Sequence, residues 1–246
     1  MVHESPLSTF DKDTTSHEGG SFLAVDDLLA SNSHIVDQNI ETIVHWTNTF
    51  FEAEQILKAR EDFNWKSGKI FHHEEQYHKR MSYFIDQYIF SRILETSSPQ
   101  FQNQTPYRAY LAHHQNGSIA ISGFRHSIFY ITRITKQSMT IKDIILENKI
   151  KISRRPEEHF LGVEKKSTFQ GYIYTLGDEN FLSRGLLFHP NECRRFLQKQ
   201  TKIYRKSSSF DEMKFLNAIA RLQLKYLRHP HVSCVKIYKD LPQNLL

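Results

Sequence analysis

The spacing of apolar positions changes twice along this chain and divides it into three parts. In the first, Ile40, Ile43, Val44, Thr47, Phe51 and Leu57 recur at helical intervals. The pattern predicts a helix from Asp37, a suitable N-cap, to about Arg60. NWKSGK (64–69) reads as a turn, and a second helix is expected over about 70–94. Its stripe is Tyr77, Met81, Phe84, Ile85 and Tyr88. A polar loop, SSPQFQNQTP (97–106), leads to a short helix over 105–114 with Pro106 in its first turn.

From Ile128 to about Phe188 the period falls towards two and the residues become β-branched and aromatic. SIFYITRITKQSMTIKDIILENKIKIS reads as three strands, with turns at Lys136–Ser138 and Glu147–Asn148. Further strands follow in KSTFQGYIYTLGDENFLSRGLLF, turning at Gly177–Asp178. Several short strands in so few residues imply a small, strongly curved sheet or barrel.

After Pro190 the helical period returns, with Cys193, Phe196, Leu197, Ile203 and Tyr204 on one side. A last helix is expected from Ser209, where Ser209 and Glu212 have capping-box spacing. Its apolar face is Phe215, Leu216, Ile219, Leu222, Tyr226 and Leu227, and Pro230 follows its end. HVSCVKIYKDLPQNLL is expected to add a strand or lie extended.

The expected architecture is α+β. Residues 1–34 read as a disordered tail, because Ser, Thr, Asp, His and Gly cannot bury enough surface to order it. The island FLAVDDLLA (22–30) within it could form two helical turns. Residues 35–116 form a helical lead, 117–190 a small antiparallel β-barrel-like module, and 191–246 helices packed against it with an extended end.

Hydrophobic residues are only 39% of the 246, but 18 Phe and 11 Tyr supply bulk for a core. Two cysteines outside any CxxC pair point to a reducing compartment. No apolar run reaches membrane-spanning length, and the first residues lack the form of a secretory signal. A cytoplasmic protein is the expectation.

The densest group of chemically capable side chains is FHHEEQYHKR (71–80). A zinc-protease helix needs histidines four apart, whereas His73 and His78 are five apart. On a helix they would point to different sides, with His73 partly buried and Glu75 pairing with Lys79. Glu75 and His78 have the Glu-x-x-His spacing of di-iron bundles, but no second such pair occurs on a helix. They remain the metal candidates. No nucleophile elbow, phosphate loop or dinucleotide fingerprint is present, and no cofactor or catalytic residue is assigned.

The net charge is +5, and the excess is concentrated. In CRRFLQKQTKIYRK, Arg195, Lys199, Lys202 and Lys206 fall at spacings of four, three and four, opposite the apolar side. Arg194 and Arg205 widen the strip, and Lys149, Lys151, Arg154, Arg155, Lys165 and Lys166 add charge in the strand region. A small β module with a basic helix suits nucleic acid.

Arg154-Arg155 ahead of a strand-rich module and DENFLSRG resemble the arginine motif and strand motif of PilZ-type cyclic-dinucleotide receptors. In that family the arginines are spaced Arg-x-x-x-Arg and the strand motif is Asp/Asn-x-Ser-x-x-Gly, whereas here the arginines are adjacent and Ser183 stands three residues after Asn180, not two. Residues 80–238 also resemble, segment by segment, a bacterial family of unassigned activity. FIDQYIF is similar to its Phe-x-x-Trp-Phe-x-Phe helix end, with Gln87 in place of the tryptophan. HSIFYITRI and TIKDII, with Asp143, resemble its opening strand pair; LGDENFLSRGLLFHP resembles its late hairpin, and YLRHPHVSCVKIY its ending. The resemblance implies a helical lead, a compact β module and a helical tail.

Together these readings give a non-catalytic bacterial binding or adaptor protein with a protein partner as the first expectation. Nucleic-acid binding through the basic helix and β module is the alternative. Cyclic-dinucleotide or metal dependence stands behind both.

Overall fold

The computed structural model describes residues 23–51, 53–96, 98–114, 119–136, 138–153, 164–207 and 210–242, the side chains of 23–34 and of Ala53 excepted. Arg154, Arg155, Ser209 and residues 1–22 of the expected tail lie outside them. The described residues form an α+β fold of seven helices and six strands. No helix among them is long and apolar enough to cross a membrane.

Helix α1 (Leu23–Phe50) begins well before Asp37, so Asp37 is not its cap. Asp37 instead takes Arg184 in an ion pair at 2.5 Å. The expected single helix to Arg60 is broken. Phe51 is buried against Leu94, Phe101 and Ala109, and α2 (Ala53–Ser67) starts afresh. Gly68, at φ 94°, ends α2 in a backbone region that side chains disfavour.

Helix α3 (Tyr77–Ser91) starts seven residues later than expected. Residues 72–76 are turns, because the Glu74 carboxylate accepts from the Phe71 N–H and pairs with Arg228 at 2.6 Å. Helix α4 (Pro106–His113) is as expected, its first turn capped by the Thr105 hydroxyl, which accepts from the Arg108 N–H.

The strands are β1 (Ile121–Ile134), β2 (Ser138–Asp143), β3 (Lys149–Ser153), β4 (Thr168–Leu176), β5 (Glu179–Leu182) and β6 (Leu187–His189). They pair antiparallel in the order β3-β2-β1-β4-β5, and β6 shares the β5 edge of β4. Alternation sends Phe129, Ile131, Met139, Ile141, Ile152, Phe169, Ile173 and Leu182 to one face. These residues pack against one another and against Leu186 and Phe188, so the sheet curls over its own core.

The barrel expectation is corrected: the sheet stays open. Its two edge strands are short and meet through side chains. Asn180 Nδ2 donates to the Lys151 carbonyl at 3.2 Å, and the Ser153 hydroxyl donates to Glu179. No backbone ladder joins β3 to β5 among the described residues.

The other face carries the helices. Tyr172, Tyr174 and Leu176 pack with α1–α4. Ile128 packs with α5 (Arg194–Tyr204), α6 (Glu212–Arg228) and α7 (Cys234–Tyr238). Each large apolar side chain buried this way contributes about 1.5–3 kcal/mol. Asp211, not Ser209, caps α6, its carboxylate accepting from the Lys214 N–H at 2.9 Å. The segment expected to be a strand or extended is α7; Cys234, Ile237 and Tyr238 turn inward at helical spacing.

Candidate nucleic-acid interface

Helix α5 buries Leu197, Thr201 and Tyr204, one face at four-three spacing. Arg195, Lys199, Lys202 and Lys206 are exposed on the opposite side, as the spacing predicts. Ile203, expected on the buried side, is exposed with them. Arg194 and Arg205 flank the buried face and reach the sheet. The Arg194 guanidinium lies over the Tyr130 ring at 5.6 Å. Arg205 pairs with Glu147, in the turn between β2 and β3, at 3.3 Å. The helix is therefore held on β1 at one end and on the β2–β3 turn at the other.

Register decides which side of that hairpin is basic. Tyr130 lies opposite Lys142, and Lys142 opposite Lys149. Directly opposed residues share a face, so both lysines are on the face of Tyr130, which packs against the helical cluster. Lys151, two residues after Lys149, points the same way. Lys149 and Lys151 are exposed. The exposed Lys166 joins the far half of β1, its N–H donating to the Ile131 carbonyl at 2.8 Å. Helix α5 thus lies against the sheet face that carries Lys142, Lys149 and Lys151. Among the described residues Arg195, Lys199, Lys202, Lys206, Lys149 and Lys151 make no ion pair.

A buried carboxylate holds the hairpin in position. Asp143 ends β2; its Oδ1 accepts from the Ser127 hydroxyl at 2.6 Å and from the N–H groups of Ile145 and Leu146. Its Oδ2 accepts from Arg125 Nε at 2.8 Å. Arg125 also pairs with Glu212 at the start of α6, at 2.7 Å. Burial pushes the Glu212 carboxyl up, against the pull of Arg125.

Glu75 stands in the turns before α3 and His78 in its first turn, both exposed. The helix on which their spacing depended is absent at Glu75. No group of three or more His, Cys, Asp or Glu among the described residues could hold a metal ion. His73, expected to be partly buried, is exposed and stacks on Phe71 at 5.9 Å. DENFLSRG forms β5 and the loop to β6.

A cleft of about 360 Å³ opens where α2 and α6 diverge over α3. Ala59, Phe63, Phe84, Tyr88 and Met213 line it, with Gln87 and Asn217 among its polar groups. Gln87 Nε2 donates to Asn217 Oδ1 at 2.7 Å, and the Ser67 hydroxyl donates to the same oxygen. Lys66 and Arg92 at its rim are both paired with Asp62. Gln87 therefore joins α3 to α6.

The outer face of α6 is missing from the sequence reading. Lys214, Arg221, Lys225 and Arg228 are all exposed. Their spacings of seven, four and three confine them to an arc of about 60°. That signal is present in the sequence, beneath the stronger apolar pattern of the same helix.

No family model matches the chain, and neither a curated protein nor a solved structure is significantly similar to it.

Proposed function

We propose that the protein binds nucleic acid through the phosphate backbone, on the surface bordered by α5 and the β2–β3 hairpin. The observation that carries this reading is the shared face of Tyr130, Lys142 and Lys149, against which Arg194 brings α5. Around it Lys149, Lys151, Arg195 and Lys199 make no ion pair among the described residues. Such a surface neutralises phosphates and releases their counterions, which makes affinity fall steeply with salt. The groups it offers to a phosphate, Arg195, Lys199, Lys202, Lys206, Lys149 and Lys151, are exposed cations, so the expected recognition is of backbone and not sequence.

The test is fluorescence anisotropy with short labelled DNA and RNA across a salt series. The expected result is binding at low salt, with log K falling linearly against log salt. Absent or salt-insensitive binding overturns the reading.

A second reading, an adaptor that binds a protein, draws on the cleft between α2, α3 and α6. Its apolar lining, its mixed-charge rim and Ile93, 48% exposed at its edge, suit an amphipathic segment of a partner. Ile93→Asp would then remove a stoichiometric partner co-purified with the native chain and leave nucleic-acid binding intact. Retention of that partner by the variant sinks this reading.

A further inference from the structure

Trp65 is 78% exposed, the most exposed large hydrophobic side chain among the described residues. A tryptophan in that state forgoes the burial that normally holds it. Among the described residues its ring meets no other ring and no cation, whereas Trp46 is set among Phe50, Phe51 and Tyr110 at 5.1–5.5 Å. The Trp65 backbone carbonyl accepts a hydrogen bond from Arg221. That bond places the end of α2 that carries Trp65 beside the basic stripe of α6. Two turns further along α6, about 10 Å away, Arg228 lies over the half-exposed ring of Phe71, and Lys69 approaches the same ring at 5.2 Å.

Three of the carboxylates near this track are paired. Asp211 pairs with Lys214, Asp240 with Lys225 and Glu74 with Arg228. Glu61 lies one turn before Trp65 on α2 and is exposed. Arg221 and Lys69 make no ion pair among the described residues. Exposed pairs of this kind contribute about 0–1 kcal/mol each, so a phosphate can displace the carboxylate.

We infer that this track binds single-stranded nucleic acid, with a base stacked on Trp65 and adjoining phosphates on Arg221 and Lys69. The inference rests on the proposed nucleic-acid function and adds the substrate class: unpaired strands, whose bases can leave the helix to stack. Alternating aromatic rings and cations are what sequence-tolerant single-strand binding requires, since every base offers a ring face and every nucleotide a charge. A duplex, its bases already stacked, gains nothing from Trp65.

The test uses the full chain, Trp65→Ala and Trp65→Phe, with matched single-stranded and duplex oligonucleotides at low salt. Because Trp65 is exposed, neither substitution threatens folding. Single strands are expected to quench the tryptophan emission of the native chain, and the quench is lost in Trp65→Phe. Trp65→Ala is expected to weaken single-strand affinity about 5- to 150-fold, the range for loss of one base–aromatic stack, with duplex affinity unchanged. Trp65→Phe retains most of the affinity. If Trp65→Ala binds single strands as well as the native chain does, the inference is overturned, the nucleic-acid reading stands, and Trp65 is left to a protein partner. If no oligonucleotide binds at all, the broader reading fails and takes this one with it.

Discussion

Arg125 and Asp143 meet at 2.8 Å across β1 and β2, and their contact joins three parts of the fold. Asp143 is fully buried and holds the turn after β2 through two backbone N–H groups; Arg125 carries the link on to Glu212 of α6. Replacing the carboxylate strands the Ser127 hydroxyl and two N–H groups and takes from Arg125 one of its two carboxylate partners. Asp143→Ala should cost about 3–5 kcal/mol, the range for breaking a buried pair. Asp143→Asn, which keeps acceptor Oδ1, should cost less. Urea unfolding measures both, and a loss below about 1 kcal/mol for Asp143→Ala would show that the contact does not hold the hairpin.

Gly185 allows the loop between β5 and β6 to lie against the backbone of α3. A Cβ there would stand 2.3 Å from the Tyr83 nitrogen and 2.7 Å from the Ser82 carbonyl carbon. Those atoms are helix backbone and cannot step aside. Gly185→Ala should destabilise by about 3 kcal/mol or more, at or beyond the usual upper end for overpacking. Gly177→Ala, where nothing lies within 4 Å but φ is 54°, bears only backbone strain. A thermal midpoint for Gly185→Ala at or above that of Gly177→Ala would contradict the close approach.

His126 and His189 are buried between the sheet and the helices, and burial lowers both from the ordinary 6.5 to about 3. Gln170 donates to the Tyr83 oxygen, which leaves the phenol proton for His126 Nε2 at 2.8 Å and favours the neutral Nδ1–H ring. His189 Nδ1 meets the Tyr238 hydroxyl at 2.7 Å. Folded-state values below the unfolded value mean that the unfolded chain takes up protons first. The stability these neutral rings provide is complete above pH 6.5 and is lost as pH falls towards 3. Each ring can contribute a slope of up to about 1.4 kcal/mol per pH unit. The melting temperature should drop steeply below pH 6.5, and less steeply in His126→Gln, carboxylates being common to both. An identical pH profile in the variant would rule out His126 as a source of the acid sensitivity.

Cys193 and Cys234 are buried in one cluster with α5, α6 and α7. Burial, and then the neighbouring Cys234, push the Cys193 thiol up, so it is held as the unreactive thiol. A colorimetric disulfide reagent should titrate neither cysteine in the folded protein and both after unfolding. Rapid reaction of one thiol in the native state would contradict this.

What the sequence made legible was periodicity, and what it withheld was register and docking. The three-strand reading after Ser127, the Gly177–Asp178 turn and the Pro106 start of α4 follow from local patterns, and they stand in the fold. FHHEEQYHKR was legible only on the premise of a helix. Arg228, more than 150 residues away, docks on Glu74 and a turn forms instead. Ile203 follows the apolar spacing of α5 but meets solvent, because spacing names a face without saying how wide a neighbour covers it. The basic surface was half legible. Its helical strip is a matter of spacing, but that Lys142 and Lys149 share the face of Tyr130 follows from strand register, which spacing alone does not give.

That pairing supports the most direct test of the proposed surface. If α5 and the hairpin serve one phosphate-binding face, removing charge from either must weaken the same complex. Lys149→Ala with Lys151→Ala, and separately Arg195→Ala with Lys199→Ala, leave the core untouched, since all four side chains are exposed. For a duplex ligand, each lysine or arginine that meets a phosphate contributes about 0.9 to the slope of log K against log salt. Both double variants should therefore bind more weakly at low salt and show slopes shallower by up to about 1.8. The loss should be similar for unrelated sequences, because backbone contacts carry no base information. A variant pair that lowers affinity through α5 alone would leave the hairpin lysines as solvated surface and confine the interface to the helix.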